Sequence, residues 1–139
     1  MVSACLCGIC SRFDGKGARD DQITELVKKG KAIPICPEEL GGLPVPRPPA
    51  EIEKGDGKNV LSHQIQVISG SGEDLTPFFL RGAFASLGIA KRFKIKITIL
   101  KQGSPSCGSG WIKRKGKQVK GNGVVTALFK KEGIQVFPR

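Results

Sequence analysis

The sequence predicts an α/β protein, a three-layer domain whose small, mostly parallel sheet is flanked by helices in a Rossmann-like arrangement. Short apolar or β-branched segments alternate along the chain with amphipathic segments of helical length. Such alternation favours right-handed crossovers, which place parallel strands in one sheet and helices on its faces. The 139 residues suit one domain, and no linker or internal repeat is visible, so we expect a single domain over residues 1–139.

The first part of the chain predicts strand, loop, helix and strand. VSAC at 2–5 is a short apolar strand, and a glycine-rich loop through Gly17 leads to the amphipathic helix DDQITELVKKG, which ends at Gly30. KAIPIC at 31–36 is the second strand. The proline-rich passage at 37–49 cannot continue as a helix or a central strand, so we expect an ordered loop or a lid.

The second part predicts a long helix and a second, shorter one between further strands. Thr76 before Pro77 is typical of an N-cap followed by proline at the first helical position, which predicts a helix to about Phe93. The remaining predicted elements are strands at 63–69, 95–100 and 134–137 and a helix at 123–133 that ends at Gly133.

The chain is strongly basic, with a formal net charge of +11. Its lysines and arginines concentrate in runs such as KRFKIK and KRKGKQVK, which would attract an anionic partner or substrate, although a solvated surface explains them equally well. RNA is therefore one partner to consider. However, the chain has no RNP pattern, no GxxG clamp, no zinc-finger spacing and no tyrosine, so no known nucleic-acid module is indicated.

The sequence also indicates the cellular compartment in which to expect the protein. No apolar run approaches the roughly 18 residues that a membrane span requires. The start, MVSACLCGIC, lacks the basic region and the long apolar core of a signal peptide, so we expect a cytoplasmic protein. Five cysteines, an odd number, in a reducing compartment argue against a disulfide framework and favour metal binding, catalysis or simple burial.

Three of the cysteines lie at or beyond the carboxyl ends of predicted strands. Cys5 ends the first strand, Cys36 ends the second, and Cys107 lies in the loop KQGSPSCGSG after the strand at 95–100. The carboxyl ends of parallel strands meet at the edge where α/β proteins bind ligands. We therefore expect these three thiols to lie together at that edge, although for any single cysteine burial in the core is the more common outcome.

The other two cysteines leave alternatives open. Cys7 and Cys10 complete a C-x-C-x-x-C run that could be a metal site by itself, but no second local cluster completes a zinc-finger pattern, and we treat both as bystanders. One alternative is an RNA- or nucleotide-binding module with a closed structural metal site, in which Cys7 or Cys10 is the fourth ligand. Another is a metal-free enzyme with Cys107 as its nucleophile.

Five motifs carry a resemblance to a known family. In this order, VSACLCGICSRFDG, CPEELGGLPVPRPPAEI, GEDLTPFFLRGA, SPSCGSG and GNGVVTALFKKEGIQVF resemble the domain-of-unknown-function family that includes the thiouracil desulfidases, over nearly the whole chain. The resemblance implies a 4Fe-4S cluster bound by three cysteines, with the fourth iron open to substrate sulfur. Matched by motif, the implied ligands are Cys5 from SAC, Cys36 from CPE and Cys107 from SPSCG.

The resemblance implies an iron-sulfur-dependent, non-redox desulfuration. The substrate would be a thiolated pyrimidine such as thiouracil, as a base, a nucleoside or a nucleotide, and its sulfur would leave as sulfide. A soft thiocarbonyl sulfur suits an open iron, which would act as a Lewis acid toward it. The basic surface makes thiolated RNA an alternative substrate. The sequence does not indicate an oligomeric state.

Hydrolysis of this kind needs a group that accepts a proton from water and a donor that stabilises the departing charge. Glu38, two residues after Cys36, is the candidate base, with the capping of a helix after Pro37 as its alternative role. Ser104 in SPSC is the candidate donor or proton relay, although a serine before proline is equally typical of a turn. Weaker candidates, for substrate binding or for ordering the lid, are Asp14, Arg47, Glu51 and Ser106.

Overall fold

The computed structural model describes all 139 residues, which form eight strands, five α-helices and a short 3-10 helix at Ala4–Cys7. The strands are β1 (Val2–Ser3), β2 (Pro34–Ile35), β3 (Ala50–Ile52), β4 (Val67–Ser69), β5 (Ile97–Leu100), β6 (Trp111–Arg114), β7 (Lys117–Lys120) and β8 (Gln135–Pro138). The α-helices are α1 (Asp21–Lys28), α2 (Pro37–Leu40), α3 (Gly57–Leu61), α4 (Thr76–Arg92) and α5 (Val124–Lys131). None of these helices is both long and apolar enough to cross a membrane.

The main sheet is entirely parallel and has the strand order β2-β1-β5-β8. Val2 of β1 is paired with Pro34 on one side and Ile99 on the other, so β1 lies inside the sheet. The strand β8 pairs with β5 along its whole length and forms the outer edge. This sheet confirms the fold class predicted from the alternation of strands and helices.

Helices cover both faces of the sheet. Successive strand residues point to opposite faces, and Ile99 and Leu100 accordingly belong to different apolar clusters. Ile99 packs in a small cluster with Ile23 of α1, whereas Leu100 belongs to the large core that contains Phe79 of α4 and Phe129 of α5. The three layers are therefore α1, the sheet, and the pair α4 and α5.

Several predicted boundaries are wrong for local reasons. The first strand ends at Ser3 rather than at residue 5, because the chain turns at once into the 3-10 helix. Thr76 is the first residue of α4 and not its N-cap. Its hydroxyl accepts the amide of Val67 at 2.9 Å, while Asp74 Oδ1 accepts the amide of Thr76 at 2.9 Å, so the aspartate satisfies the start of the helix.

The strand predicted at 63–69 is shorter than expected and lies outside the main sheet. Only Val67–Ser69 is extended, and it pairs antiparallel with β3. His63 just before it has a positive φ of 58°, which ends the turn that follows α3. Three further elements have no counterpart among the sequence predictions: β3, α3 and the hairpin formed by β6 and β7.

The passage at 37–49 contains a helical turn where the prolines predict loop. Pro37 occupies the first helical position of α2, where its missing N–H removes no hydrogen bond. The helix packs on α4 through two glycines: a Cβ on Gly41 would overlap the carbonyl oxygen of Phe78, and a Cβ on Gly82 would overlap that of Pro37. This backbone contact fixes the position of α2 and of the side chains that it carries.

Replacing Gly82 by alanine should destabilise the protein by about 2 kcal/mol or more, because the new methyl group can be accommodated only if α2 moves away from α4. The matched control is Gly88→Ala in the same helix. Gly88 is exposed, and a Cβ there would have no neighbouring atom within 4 Å, so alanine should stabilise by about 0.5 to 1 kcal/mol. Urea denaturation measures both free energies of unfolding. Equal effects of the two substitutions would contradict the close contact.

Candidate active site

A cavity of about 500 Å³ lies at the carboxyl edge of the main sheet. All three strand-end cysteines line it: Cys5 from the 3-10 helix after β1, Cys36 directly after β2, and Cys107 from the loop after β5. Because these strands are neighbours, their carboxyl ends bring residues that are distant in sequence to one place.

Burial makes the three thiols difficult to ionise. It raises the pKa of Cys107 and of Cys36, and it raises the pKa of Cys5 to about 11. Cys36 raises the pKa of Cys5 further, and Glu38, Cys36 and Cys5 raise the pKa of Cys107 further. A bound cation would reverse this preference, because cationic charge stabilises thiolates.

The remaining cysteines do not line the cavity. Cys10 is exposed, and the half-buried Cys7 donates its thiol hydrogen to the carbonyl oxygen of Ser3 over 3.9 Å. No three side chains of the histidine, cysteine, aspartate or glutamate type converge closely enough to bind one metal ion. This applies to Cys5, Cys36 and Cys107 as much as to Cys7 and Cys10, so the three cavity thiols are not arranged to chelate a single metal ion.

The cavity has the features of a site for a thiolate-bound metal group. Its three thiols are soft ligands of the kind that iron-sulfur groups prefer. The hydroxyl of Ser11, another lining residue, is buried without a hydrogen-bond partner. The carbonyl of the same residue accepts the thiol of Cys36 at 3.5 Å. An unpartnered buried hydroxyl is destabilising, so a bound group that accepts its hydrogen fits this place.

Glu38 lies in the cavity wall and is held by Arg47. The guanidinium Nε donates to Glu38 Oε2 at 2.7 Å, and the two terminal nitrogens donate to the carbonyl oxygens of Pro44 at 3.1 Å and Ser11 at 3.0 Å. Arg47 is only 9% exposed. Its hydrogen bonds thus go to protein groups, which tie down the proline-rich passage and orient Glu38.

Ser104 connects the carboxylate to the loop that carries Cys107. Its Oγ accepts the amide hydrogens of Ser106 at 3.0 Å and Cys107 at 3.1 Å, and it donates to Glu38 Oε1 at 3.4 Å. Because two amides occupy the lone pairs of the hydroxyl oxygen, its hydrogen points toward Glu38. Glu38 and Ser104 therefore form a connected carboxylate–hydroxyl pair beside the thiols.

The weaker candidates for substrate binding differ in whether they line the cavity. Glu51 lines the cavity, and its carboxylate accepts the amide of Lys115 at 2.8 and 2.9 Å, which anchors the turn of the β6–β7 hairpin. Ser106 is 1% exposed and does not line the cavity. Asp14 lies outside the cavity and pairs with Arg12 at 2.9 Å, a contact that lowers the pKa of its carboxyl group.

Among the lining residues that are not predicted as site residues from the sequence are two aromatic residues and two lysines: Phe13, Trp111, Lys101 and Lys113. Lys101 and Trp111 flank the loop KQGSPSCGSG, and Phe13 lies in the motif SRFDG. Their closeness in sequence to the site motifs is the one feature of the sequence that could have identified them as lining residues. No spacing rule, however, distinguishes a side chain that faces a cavity from one that faces solvent.

Three thiols and a carboxylate–hydroxyl pair at the carboxyl edge of a parallel sheet define an α/β enzyme whose site suits a cysteine-bound metal–sulfur group. The sequence profile of the 2-thiouracil desulfurase family matches residues 1–139. The chain therefore belongs to the 2-thiouracil desulfurase family, and it is an enzyme of this kind. The match confirms the family that the five sequence motifs resemble.

Two proteins are similar to nearly the whole chain. The chain is 44% identical over 140 residues to the uncharacterized protein YbbK of Bacillus subtilis (strain 168), covering 99% of this chain and 93% of the relative. It also superposes on a solved structure of the 4Fe-4S-dependent thiouracil desulfidase TudS with a TM-score of 0.86 at 42% identity, covering 99% of this chain and 88% of that one. The superposition confirms the predicted fold class.

Proposed function

We propose that this enzyme removes sulfur from a thiolated pyrimidine, such as thiouracil, and converts it to the oxo form by a hydrolysis without net redox change. The observation that carries the proposal is the cavity in which Cys5, Cys36 and Cys107 lie beside the connected pair Glu38 and Ser104. The family match and the similarity to a 4Fe-4S-dependent thiouracil desulfidase support it.

In this proposal Cys5, Cys36 and Cys107 would hold a 4Fe-4S cluster through three thiolates. A three-cysteine set leaves one iron of such a cluster without a protein ligand. When bound, the cluster would supply a Lewis-acidic iron with affinity for soft sulfur, which makes the carbon of a thiocarbonyl group more electrophilic.

Residues of the chain itself would activate the water molecule and transfer its protons. Water supplies the oxygen of the new carbonyl group, the carbon–sulfur bond breaks, and the sulfur leaves as hydrogen sulfide, so no electrons are gained or lost. Arg47 holds Oε2 of Glu38, and Oε1 faces Ser104. Glu38 would take a proton from the attacking water and return it to the departing sulfur, while Ser104, which donates to Oε1, would orient this carboxylate.

The alternatives that the sequence leaves open have less support. In a metal-free enzyme Cys107 would have to act as a thiolate, yet burial raises the pKa of this thiol and keeps it protonated at neutral pH. The family match favours an enzyme over a nucleic-acid-binding module with a purely structural metal.

The proposal is tested by reconstituting the protein with iron and sulfide under anaerobic conditions and incubating it with a panel of thiolated pyrimidines. We expect a brown protein that releases sulfide from at least one member of the panel. A protein that binds the cluster stoichiometrically and releases no sulfide from thiouracil, its nucleoside or its nucleotide would contradict the proposed function.

Two lysines in the cavity wall, Lys101 and Lys113, favour a substrate with a phosphate group. The sequence alone would assign such contacts to the whole run KRKGKQVK. Arg114 in this run, however, donates to the carbonyl oxygens of Ile52 at 2.7 Å and Gly55 at 2.6 Å, so it anchors the hairpin. Two arginines also line the cavity, but Arg12 pairs with Asp14 and Arg47 pairs with Glu38, so the phosphate contact is assigned to the two lysines.

Changing Lys101 and Lys113 together to glutamine should raise the KM for a thionucleotide about tenfold and leave the KM for the free thiobase nearly unchanged, because only the nucleotide carries the phosphate charge. The KM for the nucleotide should also rise steeply with salt concentration. The control pair is Lys29→Gln with Lys31→Gln, two exposed residues outside the cavity. Equal effects of both double variants on the nucleotide would show the lysines to be irrelevant to substrate choice.

A further inference from the structure

Trp111 is the single tryptophan of the chain, and its indole lies in the cavity wall. It begins β6, directly after the loop that carries Cys107. The side chain is neither fully buried nor fully exposed, so part of the indole faces the cavity space. No catalytic or metal-binding task in the proposed function uses this residue.

The indole packs directly against Gly103. A Cβ on Gly103 would lie 2.9 Å from Cζ3 and 3.0 Å from Cη2 of Trp111, so the ring fills the space that any other residue at position 103 would need. Gly103 also has a positive φ of 80°, which favours glycine independently. Its carbonyl oxygen accepts the amide of Lys113 at 3.1 Å, which ties β6 to the loop after β5.

A rigid aromatic ring at a cavity suits a flat ligand. Stacking on an aromatic side chain recognises the face of a nucleobase and is independent of the groups at its edge. Phe13 also lines the cavity, and it comes from a different segment of the chain. The polar residues near the thiols, Glu38 and Ser104, provide no surface of this kind.

We propose that Trp111 is the stacking platform for the planar ring of the substrate. This inference rests on the proposed function, because it takes the ligand to be a pyrimidine. Trp111 would hold the ring by its face and would determine the preference for aromatic over saturated rings. It is a binding residue and takes no part in proton transfer.

The test compares two probes, uracil and 5,6-dihydrouracil, by calorimetry with the anaerobically reconstituted protein. The two molecules carry the same carbonyl and N–H groups, but only uracil has an aromatic ring. We expect the wild type to bind uracil at least about tenfold more tightly than dihydrouracil. Trp111→Leu should lose this preference, and Trp111→Phe should keep most of it. The control Phe137→Leu changes an exposed aromatic residue outside the cavity and should leave the preference intact.

Equal affinity of the wild type for the two probes would overturn the stacking proposal, as would a folded Trp111→Leu variant that keeps the preference. Sulfide release from thiouracil is measured separately on the same preparations. Normal sulfide release without a preference for uracil overturns stacking alone. A preference that depends on Trp111 supports stacking even if no sulfide is released, in which case only the proposed function fails.

Discussion

We expect that each of the single variants Cys5→Ser, Cys36→Ser and Cys107→Ser fails to retain an iron-sulfur cluster. Each thiolate would supply one of three attachments, and a serine hydroxyl is a hard, weakly acidic ligand that does not replace a thiolate on iron. We expect each variant to retain less than about a tenth of the iron and acid-labile sulfide of the wild type after anaerobic reconstitution and desalting. Metal analysis and the visible absorbance of the cluster measure this.

The matched controls are Cys7→Ser and Cys10→Ser. Both residues belong to the same local run as Cys5, yet neither lines the cavity. Their variants should retain iron at the wild-type level, and circular dichroism should show that all five variants are folded. Loss of iron from Cys7→Ser together with full retention in Cys107→Ser would show that the ligand assignment is wrong.

Glu38→Gln should lower turnover by about two to four orders of magnitude and leave cluster content unchanged. The amide keeps the size and much of the hydrogen bonding of the side chain, including an oxygen for Arg47, but it accepts no proton at neutral pH. Turnover is read as sulfide release under saturating substrate, with iron content measured on the same sample.

Glu39→Gln provides the control for this substitution. Glu39 is the next residue of α2, but it is exposed and lies outside the cavity, so its variant should turn over normally. Near-normal turnover in Glu38→Gln with an intact cluster would refute the role of Glu38. Glu51 would then be the next candidate for the base, since that carboxylate lines the cavity and Asp14 does not.

The gathering of the cysteines can be predicted from the sequence because it follows from topology. Once Cys5, Cys36 and Cys107 are assigned to the ends of parallel strands, the sheet itself brings them together. The position of Glu38 in the cavity wall is predictable for a similar reason, because this residue lies just two residues beyond Cys36. Pro37 also carries a signal for α2, since proline favours the first position of a helix as well as breaking one.

The features that the sequence does not reveal depend on tertiary contacts. The β6–β7 hairpin consists mostly of polar and basic residues and is held by Arg114 on the carbonyl of Ile52 and by Glu51 on the amide of Lys115. No periodicity encodes such contacts. Ser104 and Ser106 are two residues apart, yet only Ser104 lines the cavity, because a loop has no regular alternation from which a direction could be read.

The most direct test of hydrolysis without net redox change is to run the reaction in water enriched in oxygen-18. The reconstituted protein is incubated with thiouracil without any reductant, and the uracil formed is analysed by mass spectrometry while the sulfide is quantified. Hydrolysis without net redox change should give one sulfide and one heavy oxygen atom for each uracil formed. An absolute requirement for an electron donor, or uracil without heavy oxygen, would contradict it.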